Sequence, residues 1–252
     1  MAKQTTRAGM DVKEKMYLVL VLCFAAVLIT VGAAFFIVRG LGSTTRQNDN
    51  TADSTATQEP LVADSSYDKN QNTIDTNKYS STILEESTDA GQSYVDETLF
   101  LGDSNTARMY RIFNYCSYDN AIGSVGMSGK SLATYACVQF KGYSGYKTMP
   151  EAVALMQPRR VILTFGTNDL SSSYSASSFA SDYAKGIKAV QDAYPNVDII
   201  VNAIPPLGQQ HSNQNLTQTQ VDEYNKALVQ MCQDKGWKFL NSAEVLKDSS
   251  TG

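Results

Sequence analysis

The sequence is poor in the residues that metal and redox sites need. Its 252 residues include one histidine, four cysteines and one tryptophan. Cys23, Cys116, Cys137 and Cys232 lie far apart, and no C-x-x-C or H-x-x-x-H spacing occurs. Zinc clusters and dithiol chemistry are therefore not expected, and neither is any metal or cofactor. Basic residues are not in excess: 21 Lys and Arg stand against 25 Asp and Glu, a net charge of -4. That balance argues against a nucleic-acid partner, which would select a basic footprint. The acidity is also uneven. Residues 1–39 carry five basic and two acidic side chains, 40–92 carry three and nine, and 93–252 carry thirteen and fourteen.

Charge is missing altogether from 16 to 38. A helix of that length spans about 34 Å, enough to cross a bilayer core. Lys3, Arg7, Lys13 and Lys15 precede the run, so the positive-inside rule predicts a cytoplasmic tail at 1–15, a transmembrane helix at 16–38 and an exported remainder. The expected location is the cell membrane, single-pass. A cleaved secretory signal is the alternative, but its apolar core is usually only about 7 to 15 residues, and no clean A-x-A site is present. A lipoprotein site at Cys23 is weaker still, because Leu22 before it is bulky. Residues 39–92 are rich in Ser, Thr, Asn, Asp and Gln, with isolated apolar positions such as Leu61, Ile74 and Ile83. Such a composition predicts a disordered linker, because it buries too little apolar surface to offset chain entropy. As a random coil it would span roughly 40 Å.

Residues 93–252 are enough for one domain. Apolar runs at 98–101, 161–165, 197–203 and 237–240 are continuous, as in strands buried on both faces. Between them Phe179, Tyr183, Ile187 and Val190 repeat at helical spacing, as do Val221, Tyr224, Leu228 and Met231. Pro195 and Gly236 end these two helices. The alternation predicts an α/β domain, a three-layer, doubly wound parallel sheet of flavodoxin-like type. Reactive residues are then expected at the carboxyl ends of strands.

Polar clusters stand at those positions. The first strand runs into Gly102-Asp103-Ser104-Asn105, with a helix-compatible stretch following at 106–113. A serine there sits at a helix N-terminus, where backbone N–H groups can stabilise an oxyanion. The run at 161–165 leads into Gly166-Thr167-Asn168-Asp169, and between the two lies the glycine-rich Gly123-Ser124-Val125-Gly126-Met127-Ser128-Gly129-Lys130. These motifs, in this order, resemble the first three sequence blocks of the SGNH/GDSL hydrolase family, over most of the chain from Thr98 onward. The resemblance implies Ser104 as nucleophile, with an oxyanion hole made by its own N–H, the Gly129 N–H and the Asn168 side-chain amide. Gly126 is the less favoured glycine donor, and Asp103 a further site candidate. Asn105, where the family often has leucine, is a minor departure.

The fourth block is missing. Family members place an Asp-x-x-His near the C-terminus, and nothing after Trp237 provides it. The one histidine, His211, has Gly208 where the aspartate would stand. Either the chain is a truncated piece lacking its last catalytic loop and closing helix, the favoured expectation, or it lacks the standard base. His211 as a substitute base is the minor alternative to a surface-loop histidine.

Simpler readings stand beside these. Ser104 could be only a helix cap and Asp169 only a turn-former. Arg108 and Arg111 read first as a solvated helix face, although they could meet an anionic substrate. Tyr143 and Tyr146 sit in a glycine-rich loop on which sugar rings could pack. Cys116, Cys137 and Cys232 allow one disulfide at most, or free thiols. Asn215-Leu216-Thr217 fits a glycosylation sequon. The expected function is an extracytoplasmic serine esterase acting through an acyl-enzyme on small acyl esters or an acylated envelope polysaccharide. A catalytically incomplete binding module and an O-acyltransferase are the alternatives.

Overall fold

The computed structural model describes residues 67–208 and 216–248. The expected cytoplasmic tail, the span at 16–38, His211 and Asn215 lie outside them. No helix among the described residues is long and apolar enough to cross a membrane.

In chain order the helices are α1 (Lys69–Asn72), α2 (Gln92–Asp96), α3 (Ser104–Arg111), α4 (Met149–Met156), α5 (Ala176–Ala193), α6 (Gln218–Lys235) and α7 (Ser242–Leu246). The strands are β1 (Thr98–Gly102), β2 (Ala121–Gly123), β3 (Ala136–Val138), β4 (Lys147–Thr148), β5 (Arg160–Thr164), β6 (Asp198–Asn202) and β7 (Lys238–Leu240). Five strands form one sheet in the order β2-β1-β5-β6-β7, every pair parallel, while β3 and β4 form a separate antiparallel hairpin. The predicted parallel α/β architecture is present, in the flavodoxin-like order. The direction of winding reverses between β1 and β5, and that switch point opens a crevice beyond their carboxyl ends.

The sheet's two faces are covered unequally. Leu99, Leu101, Val161, Leu163, Ile199 and Val201 alternate onto one face, where they join Phe179, Tyr183, Ile187, Val221, Tyr224 and Leu228 of α5 and α6 in the main core. Phe100 points the other way, into a small cluster with Ala107 and Tyr110 of α3. Both long helices begin as their caps dictate: Ser175 Oγ accepts from the Ser178 N–H at 3.1 Å, and Thr217 Oγ1 from the Gln220 N–H at 3.2 Å. Gly236 ends α6 with a left-handed φ of 71°. Helix α4 has no counterpart in the sequence reading. It is short, but Thr148 and Glu151 close a reciprocal capping box at its start.

The linker expectation needs correction from residue 67 onward. Tyr67 donates to Asp222 Oδ2 at 2.6 Å, Ile74 and Tyr79 are buried in the main core, and Ile83 bridges to Phe239 in parallel. The Phe239 N–H bonds the Thr82 carbonyl, and the Leu84 N–H returns to the Phe239 carbonyl, each at 2.9 Å. This segment thus covers the otherwise open edge of β7. A few apolar anchors and backbone bonds to an existing edge order a stretch whose average composition is that of a linker. Asp222 is fully buried, and it also accepts from Lys247 Nζ at 2.6 Å, which ties α7 to the same cluster.

Candidate active site

The first motif makes a tight strand-to-helix turn. A Cβ at Gly102 would lie 2.1 Å from Thr106 Oγ1 and 2.6 Å from the Thr164 carbonyl oxygen, so only glycine lets β1 end against both α3 and β5. Asp103 is the N-cap of α3 and accepts from the Asn105 N–H at 2.8 Å. Ser104 is therefore the first residue of the helix. Its N–H precedes the intrahelical ladder, and among the described residues neither that N–H nor its hydroxyl has a hydrogen-bond partner. The cap reading of Ser104 does not hold, because its neighbour Asp103 caps the helix.

The second and third motifs are bound to the first. Gly102 pairs with Thr164 in the parallel register, so the loops after β1 and β5 leave the sheet side by side. Asn105 Nδ2 reaches Thr167 Oγ1 at 3.3 Å, and Asn168 Nδ2 reaches Asp103 Oδ2 at 3.4 Å. The same Asn168 amide donates to the Met127 carbonyl at 3.0 Å. Asn168 is nevertheless exposed. Met127 and Thr167 both lie inside the quoted motifs but were given no role in the sequence, and a methionine that contributes its carbonyl carries no side-chain signal.

One expected donor is committed elsewhere. The Gly129 N–H, at the start of a 3-10 turn (Gly129–Ser131), donates to Asp169 Oδ2 at 2.8 Å. The resemblance implies this N–H as an oxyanion donor, but here Asp169 holds it, and the carboxylate pins the glycine-rich loop to the β5 loop. The structural reading of Asp169 is thus the one that the geometry carries. Gly126 lies in a turn closed by the Met127 N–H on the Ser124 carbonyl, with a left-handed φ of 77°. Tyr143 and Tyr146 are exposed on the loop between β3 and β4. The free thiols are Cys116, Cys137 and Cys232, so the one-disulfide alternative is not realised among the described residues.

Both carboxylates at this end are buried, and burial dominates their titration. It pushes the Asp103 carboxyl above its ordinary value, against the Asn105 N–H, which lowers it. Asp169 is raised for the same reason, against the Gly129 N–H, with a further upward contribution from the nearby Asp103 charge. Asp169 Oδ1 and the Tyr183 hydroxyl are buried without a hydrogen-bond partner among the described residues. No group of three or more His, Cys, Asp or Glu able to hold a metal occurs among the described residues.

A family model of GDSL-like lipases and acylhydrolases matches residues 100–251. The chain belongs to that family. It is by membership an ester hydrolase, and the matched region begins just before the turn that carries Ser104. Solved structures similar to it include a carbohydrate esterase family 3 protein from Talaromyces cellulolyticus, 18% identical, with a TM-score of 0.38, covering 57% of this chain and 76% of that one. A family 3 carbohydrate esterase from Clostridium thermocellum is 17% identical, with a TM-score of 0.42 and coverage of 60% and 80%. A GDSL-like lipase from Bacteroides thetaiotaomicron is 12% identical, with a TM-score of 0.46 and coverage of 70% and 80%. No curated protein matches the chain.

Proposed function

We propose that the chain is a membrane-anchored serine esterase that removes small acyl groups from esters outside the cytoplasm. The observation that carries this reading is the junction of the three motifs at the switch point. Ser104 has a hydroxyl and N–H without a hydrogen-bond partner among the described residues, and Asn168 is bonded to the N-cap residue beside it. In the mechanism, Ser104 Oγ attacks the ester carbonyl and the alcohol leaves with a proton. Water then hydrolyses the acyl-enzyme to the free acid and regenerates the serine. The developing oxyanion is met by the Ser104 N–H and the positive end of the α3 dipole, with about 3 to 4 kcal/mol expected from a well-placed donor. The Asn168 amide joins them by turning a hydrogen away from Asp103 or the Met127 carbonyl, and Gly129 by releasing Asp169.

The proton that Ser104 loses needs a general base on its way to the departing alcohol, and no histidine occurs among the described residues. The chain's sole imidazole, His211, is outside them, and no Asp-x-x-His occurs in the sequence. This keeps a second reading alive, a binding module that retains the fold without turnover. Hydrolysis of p-nitrophenyl acetate by the full chain separates the two. The esterase reading expects turnover that disappears in Ser104→Ala. The absence of any Ser104-dependent turnover overturns it in favour of the binding module.

A further inference from the structure

A cleft of about 460 Å³ is lined by Arg111, Ser124, Val125, Tyr135, Cys137 and Tyr146. Two of its walls are joined to the active-site turn. The Ser124 N–H bonds the Gly102 carbonyl at 3.0 Å, and Gly123 abuts α3 so closely that a Cβ would lie 2.3 Å from the Ala107 backbone nitrogen. Arg111 ends the helix that Ser104 begins. Seven residues along a helix is about 10 Å, the reach of one to two sugar rings beyond a reacting ester.

The cleft has one charge sign and aromatic walls. Arg111, the only charged residue of the lining, is exposed and has no salt bridge among the described residues, its guanidinium carbon lying 5.6 Å from the Tyr110 ring centroid. Asp103 and Asp169, the carboxylates at this end of the sheet, are buried, take hydrogen bonds from N–H donors and do not line the cleft. Tyr135 and Tyr146 are exposed residues, at 53% and 61%. Exposed aromatic rings suit the C–H surface of a pyranose, and a lone guanidinium suits a carboxylate or phosphate. We propose that this cleft binds the saccharide part of the substrate and selects saccharides bearing an anionic group, with Arg111 pairing to that group and Tyr135 and Tyr146 packing on the rings. The inference rests on the esterase reading of Ser104 and adds the class of substrate.

The test measures binding, so that it does not depend on turnover. The full chain carrying Ser104→Ala is titrated calorimetrically with three O-acetylated probes: trigalacturonate, a maltotriose 6-phosphate and neutral xylotriose. At least one anionic probe is expected to bind about tenfold more tightly than xylotriose, with the preference fading at high salt. The trigalacturonate and phosphate arms tell which anion is preferred. Adding Arg111→Gln should remove the preference and leave xylotriose affinity in place, Arg111→Glu should invert it, and Tyr146→Ala should weaken all three probes. Equal affinity for neutral and anionic probes, or an Arg111→Gln loss shared by all three, overturns the proposal. Ser104-dependent hydrolysis of p-nitrophenyl acetate without anionic preference sinks the cleft assignment alone. Anionic preference without such hydrolysis sinks the esterase reading.

Discussion

The two ends of the parallel sheet treat charge in opposite ways. Where the strands begin, Arg160 is buried and fully occupied: Nη1 donates to the Tyr94 carbonyl at 2.9 Å and to Thr98 Oγ1 at 3.3 Å, and Nη2 meets Glu97 Oε2 at 3.3 Å. Its guanidinium also lies 3.7 Å from the Tyr94 ring centroid. Where the strands finish, Asp103 and Asp169 are buried and hydrogen-bonded by N–H and amide donors, while the exposed Arg108, Arg111 and Lys130 make no salt bridge among the described residues. The first arrangement holds β1, β5 and α2 together. The second leaves the carboxyls reluctant to ionise and the cations free for a ligand, a departure from mutual pairing that is common where a protein acts on something else.

That contrast can be broken residue by residue. The largest effect belongs to the end where the strands finish: Ser104→Ala should lower turnover of p-nitrophenyl acetate by at least about a thousandfold with an unchanged melting temperature. Asn168→Ala comes next, at roughly a hundredfold to a thousandfold in kcat, if its amide meets the oxyanion. Steady-state kinetics on purified protein check both, and wild-type kcat in Asn168→Ala removes the residue from the site. At the opposite end the order of effects should reverse. Arg160→Met takes the guanidinium from the Tyr94 carbonyl, the Thr98 hydroxyl and Glu97, leaving the Thr98–Tyr94 hydrogen bond in place, and urea unfolding should register a loss of about 1 to 3 kcal/mol, with activity per folded molecule retained. An activity loss without destabilisation would contradict the division of roles.

The smallest effect is a pH dependence. Burial raises the folded-state carboxyls of Asp103 and Asp169 above their unfolded values, so the stability linked to them is fully present below the ordinary carboxylate range. It is lost as pH rises through the raised values. Asp169→Asn removes one of these groups and keeps an acceptor for the Gly129 N–H. Urea unfolding should therefore show the variant gaining on the wild type as pH rises above the ordinary carboxylate range. Parallel stability curves would show that Asp169 ionises in the fold as it does in the unfolded chain.

Much of this was legible in the sequence because parallel strands buried on both faces must be continuous apolar runs. The polar clusters after 98–101 and 161–165 thus marked the strand ends. Strand β2, only Ala121–Gly123, carries no such run, and its place beside β1 comes from packing on α3. The folded segment from Tyr67 was hidden for a related reason. Its order depends on Asp222, Phe239 and Gln230, all more than 140 positions away, and local composition cannot report such partners. The commitment of the Gly129 N–H to Asp169 is equally non-local, spanning 40 residues. Ser104, Asn168 and Asp169 could be named from their motifs, but which N–H each would face could not.

The central claim is that Ser104 is the nucleophile. The direct measurement is mass spectrometry of the full chain after exposure to diisopropyl fluorophosphate, which traps an activated serine as a phosphoryl ester. The account predicts a single adduct on the peptide containing Ser104, lost in Ser104→Ala and reduced in Asn168→Ala. An unmodified Ser104 peptide, or labelling that persists at full strength in Ser104→Ala, would contradict it.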